Sequence, residues 1–167
     1  MKSINSKFLL ELLSGLDDYF ESEGFRRKKV TYSKNTEHQW QLVNWQISTD
    51  DLPGKIKFTI NVGVHNLELA KILEEDGKPD VWDCHLRQRV GFLLPEHSDK
   101  WWIVDSTSPI PQALVDELRG ILREYVMPFL SGLSAKDDLL DLWKTGVSPG
   151  KTDRQRLNFI NLLEKSI

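Results

Sequence analysis

Residues 56–65, Ile-Lys-Phe-Thr-Ile-Asn-Val-Gly-Val-His, alternate between two sets of side chains without a break. A period of two marks a β-strand, because successive side chains leave opposite faces. Ile56, Phe58, Ile60, Val62 and Val64 define an apolar face. Lys57, Thr59, Asn61, Gly63 and His65 define a polar one. Such a strand belongs in a sheet that carries helices on its apolar side and leaves its polar side at least partly open.

The flanking sequence supplies the rest of that sheet. Residues 25–33 and 38–49 read as two earlier strands, the second with Val43, Trp45 and Ile47 on one side and Asn44 and Gln46 on the other. Asp50-Asp51-Leu52-Pro53-Gly54-Lys55 joins 38–49 to 56–65 as a hairpin loop. Residues 81–94 read as a fourth strand and 101–106 as a fifth, with 95–100 as a further hairpin. Helical spacing lies on both sides. Residues 3–23 repeat apolar positions on one face and stop at Gly24, and Asn66 caps a short helix over 67–75. A helix starts at Pro109 behind Ser108 and ends at Pro128. Ser134 caps the next helix, which Gly146 stops, and Thr152 with Gln155 forms a capping box for the last.

Consecutive strands joined by hairpins, with helices before and after, predict the α+β class. The expected architecture is an antiparallel meander of about five strands with the N-terminal and C-terminal helices packed on one face. The chain has 167 residues. At roughly 150 residues per domain, this predicts one domain over 1–167, with a helical extension from about 109.

The polar face is the place to look for function. On the predicted fourth strand, Asp83, His85, Arg87 and Arg89 share one side, and Trp82, Cys84, Leu86 and Val90 take the other. Pairing with residues 56–65 would bring the first set beside Asn61, His65, Asn44 and Gln46. Trp101 and Trp102 are adjacent, so one must leave the core face, and Trp102 is assigned to the polar set. Two arginines offer forked donors matched to carboxylate or phosphate, and a tryptophan beside them could stack on a guanidinium or a base. The plainer account is a solvated face with cross-strand charge pairs.

Several classes are excluded or disfavoured. The formal net charge is −3, which excludes a globally basic nucleic-acid binder. Arg26-Arg27-Lys28-Lys29 is the one basic run, and a strand splits it between two faces. A single cysteine allows neither an internal disulfide nor a thiolate zinc cluster and suits a reducing, cytoplasmic setting. No leader is expected, and no apolar run reaches the roughly 18 residues of a membrane span. His38, His65, His85 and His97 lack paired ligand spacing, so no metal is expected. No glycine-rich phosphate loop is present, and no cofactor is expected. Cys84 should be buried and inert. Asp83 and His85 resemble half of a catalytic triad, with no nucleophile elbow beside them.

Four stretches together resemble a known family. They are Gly24-Phe25 followed by basic residues and Tyr32; Asn44-Trp45-Gln46-Ile47-Ser48; Phe58-Thr59-Ile60-Asn61-Val62-Gly63-Val64; and Cys84-His85-Leu86-Arg87-Gln88-Arg89-Val90-Gly91 with Asp99-Lys100-Trp101-Trp102 behind it. In this order they resemble the bacterial domain-of-unknown-function family numbered forty-three-oh-four, over about residues 8–129. The resemblance implies a small bacterial α+β domain and carries over no catalytic residue. Two uses stay open. The first is a non-catalytic binding or protein-interaction domain, whose partner is another protein or a small anion. The second is an enzyme acting on a small anionic or phosphorylated substrate, with His85 as acid or base and Arg87 and Arg89 as clamps. Neither a membrane nor a nucleic acid is expected as a partner.

Six tryptophans sharpen the question. Trp45, Trp82 and Trp143 are expected in the core, which leaves Trp40 and one of the Trp101–Trp102 pair for other work.

Overall fold

A computed structural model describes residues 4–166. The strands are β1 (Arg26–Lys28), β2 (Thr31–Asn35), β3 (Gln39–Ile47), β4 (Lys55–Asn66), β5 (Leu86–Arg89) and β6 (Trp102–Asp105). The helices are α1 (Ile4–Ser14), α2 (Asp17–Ser22), α3 (Leu67–Ile72), α4 (Gln112–Ile121), α5 (Met127–Ser131), α6 (Lys136–Lys144) and α7 (Asp153–Lys165). All strand pairs are antiparallel, and helices lie at both ends of the chain, so the fold is α+β. Among the described residues, no helix is long and apolar enough to cross a membrane.

The sheet runs β1-β2-β3-β4-β5, and β6 also pairs with β4. The expected hairpin between the last two strands does not form. Asn61–Val64 of β4 pairs with β5, and Lys55–Phe58 of the same strand pairs with β6. β5 and β6 therefore lie end to end along one edge of β4, and residues 91–100 loop between them. The backbone in between is held by the Thr59 hydroxyl, which donates to Lys100 O at 2.6 Å.

Other boundaries differ for local reasons. The strand expected over 25–33 is a hairpin, because Lys29 takes φ +55° and turns the chain between β1 and β2. The first helix breaks at Gly15 and Leu16; its expected start at Ser3 lies outside the described residues. Pro128 does not end the helix that contains α4. A π-helical segment at Leu122–Val126 widens the turn ahead of it, and the helical path runs on through Pro128 to the end of α5 at Ser131. Asp138 caps α6 by accepting from Ala135 N, a role expected of Ser134. Asn66 and Thr152 cap α3 and α7 as expected, accepting from Leu69 N and Gln155 N.

The apolar face of β4 packs as its alternation requires. Ile56, Phe58, Ile60, Val62 and Val64 are fully buried in one core with residues of α1 and α4. Phe20 stacks on Tyr32, and both meet Trp45 edge-on. The basic run is tied in beside them. Arg27 donates through Nε and Nη2 to the two Asp17 oxygens at 2.8 and 2.9 Å, and the Tyr32 hydroxyl donates to the same carboxylate at 2.6 Å. The Arg27 hydrogen bond holds Asp17 below the usual carboxylate range.

The second face of β4 is not open. Thr59, Asn61 and His65 are 0%, 1% and 3% exposed. A 3-10 turn at Val81–Asp83 lies over it, making a small cluster of Val81, Cys84 and Leu42 with Trp40 at its side. Gly63 makes room for this cover, because a Cβ there would sit 2.7 Å from Cys84 Sγ. Cys84 is thus buried on the opposite face from the main core, and burial pushes its thiol up to about 12.

Candidate functional site

The central part of the second face is a chain of side-chain hydrogen bonds across four strands. Register places Asn44 opposite Asn61, and Asn61 opposite Arg89. Arg89 Nε donates to Asn61 Oδ1 at 3.0 Å. A guanidinium only donates, so this bond fixes the orientation of the Asn61 amide. Its Nδ2 then donates to Gln46 Oε1 at 3.0 Å and Asn44 Oδ1 at 3.4 Å, and Asn44 Nδ2 donates to Thr31 Oγ1. On the other side Arg89 Nη1 donates to Asp99 Oδ1 at 3.2 Å, and Trp101 Nε1 donates to Asp99 Oδ2 at 3.0 Å. Asn61 is the hub of this chain. Asn61→Ala should cost about 1–3 kcal/mol of folding stability, because it leaves Arg89 and Gln46 without their shared partner. Urea unfolding checks this, and a stability equal to wild type would rule it out.

Two guanidiniums lie on two tryptophans at the rim. Arg87 Cζ is 4.6 Å from the Trp82 ring centroid, and Arg89 Cζ is 5.2 Å from that of Trp101, which Lys57 Nζ also approaches at 5.4 Å. Between them lies a shallow depression of about 320 Å³, bordered by Arg87, Arg89, Phe92, Asp99 and Gly150. Trp82, Phe92 and Ile103 are 46%, 37% and 57% exposed.

This geometry sorts the expected residues. Asn44, Gln46, Asn61, Arg87 and Arg89 do share one face. Trp102 does not join them. It pairs with Phe58 and stacks on it in the core, so Trp101 takes the place beside Arg89. Trp82 is not a core residue, because residues 81–83 form a 3-10 turn and alternation begins only at Leu86. Asp83 is off the strand for the same reason, and its carboxylate accepts from Asp80 N at 3.2 Å. Asp99, Phe92 and Gly150 escaped sequence reasoning. They belong to loops, where no period places a side chain. For Asp99, the neighbouring tryptophan pair was the available signal.

His65 and His85 lie on the same face but are sealed. Their rings stack at 4.1 Å with planes 14° apart, and they are 3% and 1% exposed. His85 Nδ1 accepts from Asn66 N at 3.0 Å, so Nε2 carries the proton and donates to Glu75 Oε1 at 2.7 Å. One donor atom from each of His65, Glu75 and His85 lies within 4.8 Å of the others, as in a metal site. The hydrogen bonding does not suit an ion. His85 Nε2 would have to surrender its proton while Nδ1 still faces an N–H. Stacked rings also direct their lone pairs along near-parallel planes, whereas one zinc needs both nitrogens in plane at roughly 2.0–2.1 Å. The pair fits a neutral structural role, and burial pushes both imidazoles down to about 4. His85 has both nitrogens engaged and touches neither the Asp83 carboxylate nor the depression.

No match is found among curated proteins or among solved structures. The family described as a domain of unknown function (DUF4304) matches residues 16–132. That span takes in the whole sheet, the arginine–tryptophan rim and α4 and α5, and it stops short of α6. With the larger part of its length and every strand inside the match, the chain belongs to the DUF4304 family.

Proposed function

We propose that this protein is a non-catalytic bacterial binding domain, working in the cytoplasm, that engages another protein through the arginine–tryptophan rim. The observation that carries the reading is the stacking of Arg87 on Trp82 and of Arg89 on Trp101 around one depression. Arginine and tryptophan are the side chains most enriched where binding energy concentrates in interfaces. Stacked on a ring, a guanidinium is held in place, which lowers the entropy lost on contact; the Arg87 N–H edge makes no ion pair among the described residues, whereas that of Arg89 is engaged by Asn61 and Asp99. Phe92 and Ile103 add exposed apolar surface beside it. An enzyme acting on a small anion has less support, since His85, its acid–base candidate, is buried away from this surface.

The test compares proteins retained from a bacterial lysate by wild type and by a Trp82→Ala/Phe92→Ala variant. Both residues are exposed, so circular dichroism should show an unchanged fold. A specific partner should be retained by wild type and fall at least about tenfold on the variant, the loss of one hot-spot contact. The same proteins on both columns, or none above a blank column, would sink the reading.

A further inference from the structure

Several cations on and near this sheet already have an anion. Lys57 reaches Asp50 at 2.8 Å, Arg89 reaches Asp99 at 3.2 Å and Lys136 reaches Glu68 at 3.2 Å. Arg87 and Lys151 have no carboxylate within ion-pair distance among the described residues. The nearby acids are committed elsewhere. Glu75 accepts from His85 Nε2 and Asp83 accepts from Asp80 N. Asp99 accepts from Arg89 Nη1 through both oxygens and from Trp101 Nε1 through Oδ2.

The fold brings the backbone that carries these two cations together. The turn Ser148–Lys151 lies along the outer edge of β5, where Pro149 O accepts from Arg87 N at 3.1 Å and Lys151 N donates to Ser148 O at 3.1 Å. Gly150 takes φ +76°, and a Cβ on it would fall 2.8 Å from Arg87 O and 2.9 Å from Arg87 Cβ. Only glycine lets the turn lie this close. Lys151 is held below its ordinary range, first by burial and then by the like charge of Arg87. Glu75 and Asp83 act on Lys151 in the opposite sense without reaching ion-pair contact, so neither cation has an anion in contact among the described residues and a bound anion would relieve their repulsion.

We propose that Arg87 and Lys151 form a receptor for one carboxylate, supplied by an acidic side chain of the partner protein. This rests on the protein-interaction reading above. Carboxylate fits the donor count. The backbone N–H groups of Arg87 and Lys151 are used by Pro149 O and Ser148 O, and that of Arg89 by Gln88 Oε1, so the charged donors left at this place are the guanidinium and the ammonium. Two donor groups match the two oxygens of a carboxylate, whereas phosphate sites are normally lined by several free backbone N–H groups. The exposed Trp82 and Phe92 beside the pair supply the apolar surface against which a protein side chain would pack.

The experiment titrates the full chain with N-acetyl-aspartate N-methylamide, followed by NMR signals of Arg87 Nε–H and the Gly150 amide at low salt. The neutral asparagine analogue and inorganic phosphate are run alongside. The aspartate probe should give saturable shifts with a dissociation constant on the order of millimolar. Arg87→Gln and, separately, Lys151→Gln should each weaken it about tenfold, the loss of one charge-assisted hydrogen bond. The asparagine analogue should give no saturable shift. No saturation by aspartate, equal affinity in the variants, or tighter binding of phosphate would each overturn the proposal. Should the probe bind while the capture experiment finds no partner, the carboxylate receptor stands and the protein-interaction reading falls. Should the capture succeed while the probe fails, the reverse holds.

Discussion

Gly91→Ala should lower the folding stability by about 3 kcal/mol, the upper end of the usual overpacking penalty. Gly91 is buried in the 3-10 turn at Val90–Leu93 that follows β5. A Cβ on it would lie 2.0 Å from Ser98 O and 2.7 Å from Lys100 N. Both are backbone atoms of the loop that returns to β6, so no side chain can swing aside. The loop must move outward, and it carries Asp99, Trp101 and the Lys100 carbonyl that holds Thr59. Stability and the Arg89–Asp99 contact should therefore fail together, seen as a lower urea midpoint and a changed Trp101 fluorescence. Gly120→Ala is the control. It lies in α4, where an added methyl would meet nothing within 4 Å, so it should gain about 1 kcal/mol from helix propensity. Equal midpoints for Gly91→Ala and wild type would refute the close packing.

Acidification should weaken the fold between pH 6.5 and 4, before the carboxylates contribute. His65 and His85 are neutral when folded, with values near 4 against an ordinary 6.5. Unfolded, they take up protons as the pH falls through 6.5; folded, they do not until about 4. Stability is therefore flat above pH 7 and falls through this window, by about 2–3 kcal/mol for each ring at its lower end. Asp17 acts in the same direction but lower. Its carboxyl is depressed below 3.8, so its contribution is lost only as the pH falls past that value. His65→Phe keeps a ring over His85 and removes one titrating group, so it should flatten the pH 4–6.5 slope by about half. Urea unfolding at several pH values reads this directly. A slope unchanged in His65→Phe would mean that the stacked pair does not control it.

The sheet was largely legible because its central strands are long and regular. Nine residues of β3 pair in register with β4, and parity alone brought Asn44, Gln46, Asn61 and Arg89 to one face. Parity failed where the strand was shorter than the pattern. Alternation runs through residues 81–94, yet only Leu86–Arg89 is extended, so Trp82 and Asp83 were placed by a period that does not reach them. The choice between Trp101 and Trp102 depended on the register of β6 against Phe58, which a neighbouring strand sets. The second face was expected to be open because its residues are polar. Its covers are the 3-10 turn at Val81–Asp83, the 91–100 loop and the turn at Ser148–Lys151, and their docking depends on contacts distant in sequence. Asn44 and Asn61 tolerate burial there because the chain of hydrogen bonds from Thr31 to Asp99 satisfies them, and Thr59 and His85 find partners of their own.

The end-to-end placement of β5 and β6 has an evolutionary consequence. Each half-strand is anchored to β4 by its own ladder, so neither depends on the other for its register. The segment between them is then free to lengthen, shorten or change sequence without shifting a residue of the central sheet, provided that its two ends still fit around Gly91. Relatives sharing this sheet can thus differ in this one loop while the scaffold that carries it stays the same.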